Sequence, residues 1–268
     1  MTDLPPHLRT YCETADQVYQ ILVKSTLLVD VALSQLWPKE RYTASEYYDL
    51  LHEMKKDILS EITGKILENY SYVYYSDMKD ALEKALANGD TSFRDFAEKV
   101  VHTLEQRADE IALKNVLEKA RNLLPFSQEP EEKMRQILHG RKLVLQHTYN
   151  FENNIGKYDT VESLAALHRL AIVVSNNYPP SKPIPSSVEN AFWILHEITP
   201  RRKYSFSGVI KDIVFFKNGK LHVALLNEKV ARKVAEALVY GVEWRGGRAV
   251  TRKQPLESVT RSPPPTPR

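Results

Sequence analysis

The sequence predicts an α+β fold, predominantly α: a multi-helix N-terminal bundle, then a small basic module ordered helix, hairpin, helix, hairpin, then a disordered tail. Three observations carry this. Apolar residues recur at helical spacing through the first 176 residues. Beyond about residue 205 the period becomes alternating, with Asn218-Gly219 and Gly246-Gly247 at the reversals. Charge divides in the same place. Residues 201–268 hold 15 Lys/Arg against 5 Asp/Glu, and residues 1–200 hold 22 against 29.

From about residue 14 to 36, Val18, Ile21, Leu22, Leu28 and Val31 share one face, and Pro38 closes the segment. Thr43 and Glu46 form a capping box ahead of the stripe Tyr47, Leu50, Leu51, Met54, Ile58 and Ile62. Tyr70 to Tyr75, YSYVYY, is the densest aromatic patch and reads as packing against the bundle. Ser76 caps a short helix carrying Met78, Leu82 and Leu86, stopped at Gly89. Thr91 opens the longest pattern, from Phe93 through Val100, Leu104, Ala108, Ile111 and Val116 to Leu123, ended by Pro125. A further helix carries Met134, Ile137, Leu138, Val144 and Leu145, although Gly140 in its middle interrupts the pattern. Asp159 and Glu162 cap a helix through Leu164, Leu167, Leu170 and Val174.

The boundaries drawn from these patterns are an acidic helical domain at 1–176, a Pro-rich linker at 177–186, a basic α+β module at 187–253 and a disordered basic tail at 254–268. Four prolines in NNYPPSKPIP favour a stiff extended spacer. Ser186 and Glu189 cap a helix through Phe192, Trp193, Ile194 and Ile198. Ser205 to Phe216 and Lys220 to Leu226 read as strands of a hairpin turning at Asn218-Gly219. Residues 228–240 form a helix with Val230, Val234, Ala237 and Leu238 inward. Val242–Arg245 and Arg248–Arg252 make the second hairpin. The tail, ending in Ser262-Pro263-Pro264-Pro265-Thr266-Pro267, cannot bury a core.

Composition narrows the function classes. No apolar run approaches the roughly 20 residues that span a bilayer, and no signal peptide is expected at the N-terminus. The single cysteine, Cys12, excludes an intrachain disulfide and reads as structural. The eight histidines form no His-x3-His pair, so no structural zinc or other cofactor is expected. The setting implied is cytoplasmic or intravirion, without a membrane partner.

A basic module on an acidic body points to a polyanion, most often nucleic acid. The expected contacts are Arg201, Arg202, Lys203, Lys211, Lys217, Lys220, Lys229, Arg232, Lys233, Trp244, Arg245, Arg248, Arg252 and Lys253. Tyr204, Phe206 and Tyr240 lie among them. Cations release counterions from phosphates and aromatics stack on bases. The expected function is non-catalytic nucleic-acid binding in a nucleoprotein or packaging role, with low sequence specificity and homo-oligomerisation through the helical domain. A pure assembly subunit, its basic module docked on acidic protein, is the other non-catalytic reading.

A two-residue loop at Asn218-Gly219 would place Asp212, Asn227 and Lys229 on one sheet face. The run GVIKDIVFFKNGKLHVALLNEK, residues 208–229, then resembles the PD-(D/E)XK nuclease core, most of all its CRISPR-associated exonuclease branch. The resemblance covers residues 208–252. It implies a divalent-metal nuclease that uses Mg or Mn, with Asp212, Asn227 and Lys229 as its catalytic set. Asn227 stands where that family has a carboxylate, and its cluster cysteines have no counterparts. The resemblance therefore implies an inactivated nuclease retained for nucleic-acid binding, as in a viral nucleocapsid. An active site would need Glu228, Glu189 or Glu197. Arg141 and His147 also fit the Arg-x4–6-His spacing of the helical HEPN ribonucleases, with Lys142 where that family carries a small polar or acidic residue.

Overall fold

A computed structural model of the chain describes residues 4–36, 45–88, 91–125, 129–184 and 198–252. The expected capping box at Thr43, the helix beginning at Ser186, residue Lys253 and the tail from 254 lie outside these residues. The described chain is α+β and predominantly α. Compact units divide at Ala108/Asp109, within one long helix, and not at the Pro-rich stretch.

The first unit is helical. Helix α1 spans Pro6–Leu36, α2 Ser45–Leu67 and α3 Lys79–Ala87, with a 3-10 turn at Tyr75–Met78. Helix α1 starts about two turns before its expected start near residue 14, with Pro6 at the first helical position, where a missing N–H costs nothing. Leu4, Leu8 and Cys12 are buried there. Burial, and behind it the carboxylate of Asp16, pushes the Cys12 thiol up to about 11, so it stays protonated and inert. The 3-10 turn has Tyr74 at its N-cap, whose N–H donates to the Asp77 carboxylate at 2.8 Å, and α3 has Met78 at its N-cap in place of the expected Ser76. Helix α4, Phe93–Arg121, begins under Asp16 of α1, which accepts from the Phe93 N–H at 2.7 Å. The carboxylate satisfies an orphan donor and sits favourably at the positive end of the helix dipole.

The second unit holds a five-stranded antiparallel sheet with strand order β1-β2-β5-β4-β3. Its elements in chain order are α5 Pro130–Ile137, β1 Leu138–His139, β2 Lys142–Gln146, α6 Lys157–Asn176, β3 Lys203–Ser205, β4 Ile210–Phe215, β5 Lys220–Leu225 and α7 Glu228–Tyr240. A separate hairpin follows, β6 Val242–Arg245 and β7 Arg248–Thr251. The helix expected through Val144 and Leu145 ends at Ile137. Beyond it Gly140, at φ +59, opens a two-residue hairpin turn that returns the chain as β2. Strand β2 then pairs with β5, Leu143 to Val223 and Leu145 to Leu221. Residues 109–176, expected in the helical domain, therefore fall in the second unit, whose sheet includes their strand β2. The order β2-α6-β4-β5-α7, with β5 between β2 and β4, follows split β-α-β connectivity.

One sheet face is the core. Leu143, Leu145, Ile213, Phe215, Leu221, Val223 and Leu225 are all buried. Helix α7 packs on β2, β5 and α6 through Val230, Ala231, Val234, Ala235, Ala237 and Leu238.

The Pro-rich stretch is pinned to this unit. Arg169 of α6 is 1% exposed. Its guanidinium donates to the Pro180 carbonyl at 2.7 and 3.2 Å and to the Lys182 carbonyl. Asp109 accepts from the Ser181 N–H at 3.1 Å and from its hydroxyl at 2.6 Å. Residues 177–184 are therefore a strap on the unit and not a free spacer.

Beside Arg169, the buried His168 is held at about 4, by burial first and by the Arg169 charge second. The folded state thus refuses a proton that the unfolded chain takes near pH 6.5, so stability is complete above that pH and declines as pH falls toward 4. Between pH 6.5 and 5 the second unit should lose roughly 2 kcal/mol. Thermal melts across this window should show the decline in the wild type and a flatter profile in His168→Gln. Equal slopes would contradict the assignment.

Candidate nucleic-acid interface

The second face of the sheet carries the polar set of the alternation. Its registers bring together His139, Lys142, Val144 and Gln146 from β1 and β2, Lys220, His222 and Ala224 from β5, Asp212 and Val214 from β4, and Lys203 and Ser205 from β3. Phe216 joins them at the hairpin end, its ring 4.5 Å from that of His222. Asp212 is the only carboxylate in the five strands. It is already engaged by Lys203 at 3.0 Å and by the Ser205 hydroxyl at 2.9 Å. Burial works to raise its pKa, but those two partners and the charge of Arg141 hold it below the ordinary carboxylate value. The His222 imidazole is pushed down, by burial first and then by the charges of Lys142, Lys220 and His139. Lys142 and Lys220 beside one imidazole mark a face of positive potential, with the Phe216–His222 ring pair at its hairpin end.

The expected contact residues fall into three groups. Lys203, Lys217 and Lys220 lie on or beside this face and are exposed, while Lys211 is half-buried next to a bulge in β4. Arg201 and Arg202 lead into β3. The Arg201 N–H donates to the Phe215 carbonyl at 2.7 Å, and the Arg202 guanidinium lies 5.4 Å from the Tyr204 ring centroid. Lys229, Arg232 and Lys233 belong to α7, in the layer behind the sheet. Lys233 there donates to the Val174 carbonyl near the end of α6, at 3.1 Å. Trp244, Arg245, Arg248 and Arg252 are on the β6–β7 hairpin, where Glu243 binds Arg245 at 2.5 Å and Arg252 at 2.5 and 2.6 Å. One basic segment in sequence is thus spread over three surfaces.

Asp212, Asn227 and Lys229 do not share a face. The hairpin closes with three residues, Lys217 to Gly219, with Gly219 at φ +80 and the Phe216 N–H donating to the Lys220 carbonyl at 2.9 Å. Asp212 therefore sits opposite Ala224, where a two-residue loop would have put Leu225. A one-residue slip exchanges the faces of a whole strand. Strand β5 also ends at Leu225, and Asn227 caps α7 by accepting from the Val230 N–H at 2.9 Å. Asparagine is a favoured residue for that cap. Lys229 is exposed in the first turn of α7. Among the described residues no three His, Cys, Asp or Glu side chains group as metal ligands. Arg141 and His147 flank β2 at opposite ends. His147 is buried, and its ring nitrogen is 3.0 Å from the Phe216 carbonyl. Six residues along a strand separate them by about 20 Å, whereas the HEPN spacing presumes a helix.

Sequence reasoning did not place His139, Arg141, Lys142, Phe216 and His222 on one sheet face. Lys142-Leu143-Val144-Leu145-Gln146 is a short apolar run between polar ends, which fits strand and helix alike, and Gly140 ahead of it is the one turn signal. No helix of the described residues is long and apolar enough to cross a membrane. Comparison with protein-family models, curated proteins and solved structures finds no match for the chain.

Proposed function

We propose that this protein binds nucleic acid without catalysis, in a structural or packaging role, through the polar face of its five-stranded sheet. The observation that supports the reading is a cationic face of Lys142, Lys220 and Arg141 whose only strand carboxylate is already neutralised. Contacts of this kind reach phosphates and carry little sequence information. The ring pair Phe216–His222 supplies a surface on which a base can stack. Such a protein would work in the cytoplasm or within a virion. Labelled single- and double-stranded oligonucleotides titrated between 50 and 200 mM salt test it. With about four phosphate contacts, affinity should fall on the order of 10²-fold across that range. Salt-independent binding, or none, would overturn the reading.

A second reading concerns the helical unit. Val18, Ile21, Leu28 and Val31 of α1 and Tyr47 and Leu50 of α2 are 49–71% exposed. Their exposed apolar areas sum to on the order of 600 Å². Self-association through this surface would bury it. Light scattering should give the wild type a mass above one chain, and Leu28→Glu should return it to one chain. A monomeric wild type would end this part of the proposal.

A further inference from the structure

A cleft of about 490 Å³ lies between the C-terminal half of α4 and the β6–β7 hairpin. It is far from empty of chemistry. Arg121, Arg245, Arg252 and Lys114 line it, against the carboxylates of Glu110 and Glu243, and Trp244 forms part of its wall. Glu243 is shared between Arg245 and Arg252. Arg121 is differently placed. Its Nε donates to the Leu238 carbonyl at 2.9 Å, which fixes the guanidinium. No carboxylate lies within ion-pair distance of it among the described residues.

Gly241 shows how closely the two guanidiniums converge. A Cβ built there would lie 3.5 Å from a terminal nitrogen of Arg121 and 3.8 Å from Cδ of Arg252. Both arginines therefore line the same glycine. Burial, and then the Arg252 charge, lower the Arg121 pKa, the signature of like charges held together. Arg252 is paired with Glu243, whereas Arg121 feels the charge of Glu118 without forming an ion pair among the described residues. A planar guanidinium fork fixed by one bond and left with its other donors is suited to an oxyanion, above all phosphate. The indole of Trp244 adds a flat apolar surface of the kind that stacks on a nucleobase. A cleft of this volume lies within the range of small-ligand sites.

We infer that this cleft is a nucleotide site, in which Arg121 with Arg252 holds a phosphate and Trp244 stacks on the base. It is separate from the sheet face and does not depend on that face binding a strand. The phosphorylated nucleoside can come free in solution or as the phosphorylated end of a nucleic-acid strand.

The test uses the full chain and equilibrium dialysis with labelled AMP, with adenosine and inorganic phosphate as partial ligands. AMP should bind at least about tenfold more tightly than either part. Trp244→Leu and Arg121→Gln should each weaken AMP by about tenfold. Because Arg121 also supports the Leu238 carbonyl, Arg252→Gln serves as a second phosphate-side variant, with unchanged melting as the control for folding. Competition by a 5′-phosphorylated oligonucleotide, and not by its 5′-hydroxyl twin, assigns the strand end. Competition by neither assigns the free nucleotide. Equal binding of AMP and adenosine, no AMP binding, or AMP binding indifferent to Trp244→Leu would overturn the inference. Lys142→Ala/Lys220→Ala should leave AMP binding intact, so that failure here is distinguishable from failure of the sheet-face reading.

Discussion

Arg169→Met should lower the melting temperature of the second unit by about 10 °C. The guanidinium is buried and serves the carbonyls of Pro180 and Lys182. Hydrogen bonds from a charged donor contribute about 1.5–3 kcal/mol each, and acceptors left dry after truncation add a desolvation cost. A loss of about 3–5 kcal/mol is therefore expected, at about 2–4 °C per kcal/mol for a unit of this size. Methionine fills the volume but donates nothing. Arg169→Lys should recover little, because one ammonium cannot reproduce the fork that meets two carbonyls. Differential scanning calorimetry measures the shift, and limited proteolysis should show new cleavage between Pro179 and Lys182. A drop under about 2 °C would mean that the strap is held by Asp109 and its own packing.

Lys142→Ala combined with Lys220→Ala should reduce the slope of log affinity against log salt by about two. At low salt the affinity should fall on the order of tenfold to a hundredfold. Both ammonium groups are exposed on the sheet face and both bear on His222, so removing them takes the strongest uncompensated charge from that surface. Adding Phe216→Ala should cost a further 1–3 kcal/mol per stacked base with single strands, about tenfold or more, and much less with duplex. Lys229→Ala with Arg232→Ala is the informative control. These residues lie on α7, behind the sheet, and should change affinity by less than about threefold. Fluorescence anisotropy with a labelled oligonucleotide reads all three variants. A larger loss from the α7 pair than from the sheet pair would move the interface to the helical layer.

Much of the fold is legible in the sequence, and individual residues show why. The stripe from Phe93 to Leu123 forms a helix because its apolar period is long and its ends carry polar residues. Asn218-Gly219 marks a reversal because glycine tolerates the positive φ that closes it. Helix α7 was predictable from an inward set of Val and Ala at three- and four-residue spacing. The short segment 138–146 was not, since apolar residues over so few positions satisfy both periods. The structure resolves it as a hairpin because Leu143 and Leu145 find partners in Val223 and Leu221, about 80 residues away.

Charge was legible as an amount and not as a surface. The basic excess of residues 201–268, the helical body and the α+β class are properties of composition and local period, which the chain carries in any conformation. Register, strand order and neighbours across the sheet are set by packing between distant segments. One extra loop residue at Lys217–Gly219 decided which face Asp212 occupies. The pairing of β2 with β5 decided that Lys142 stands beside His222 and Lys220, and burial decided that Arg169 clamps a strap instead of meeting solvent. Each of these depends on non-local burial of apolar area, and no local window of sequence contains that information.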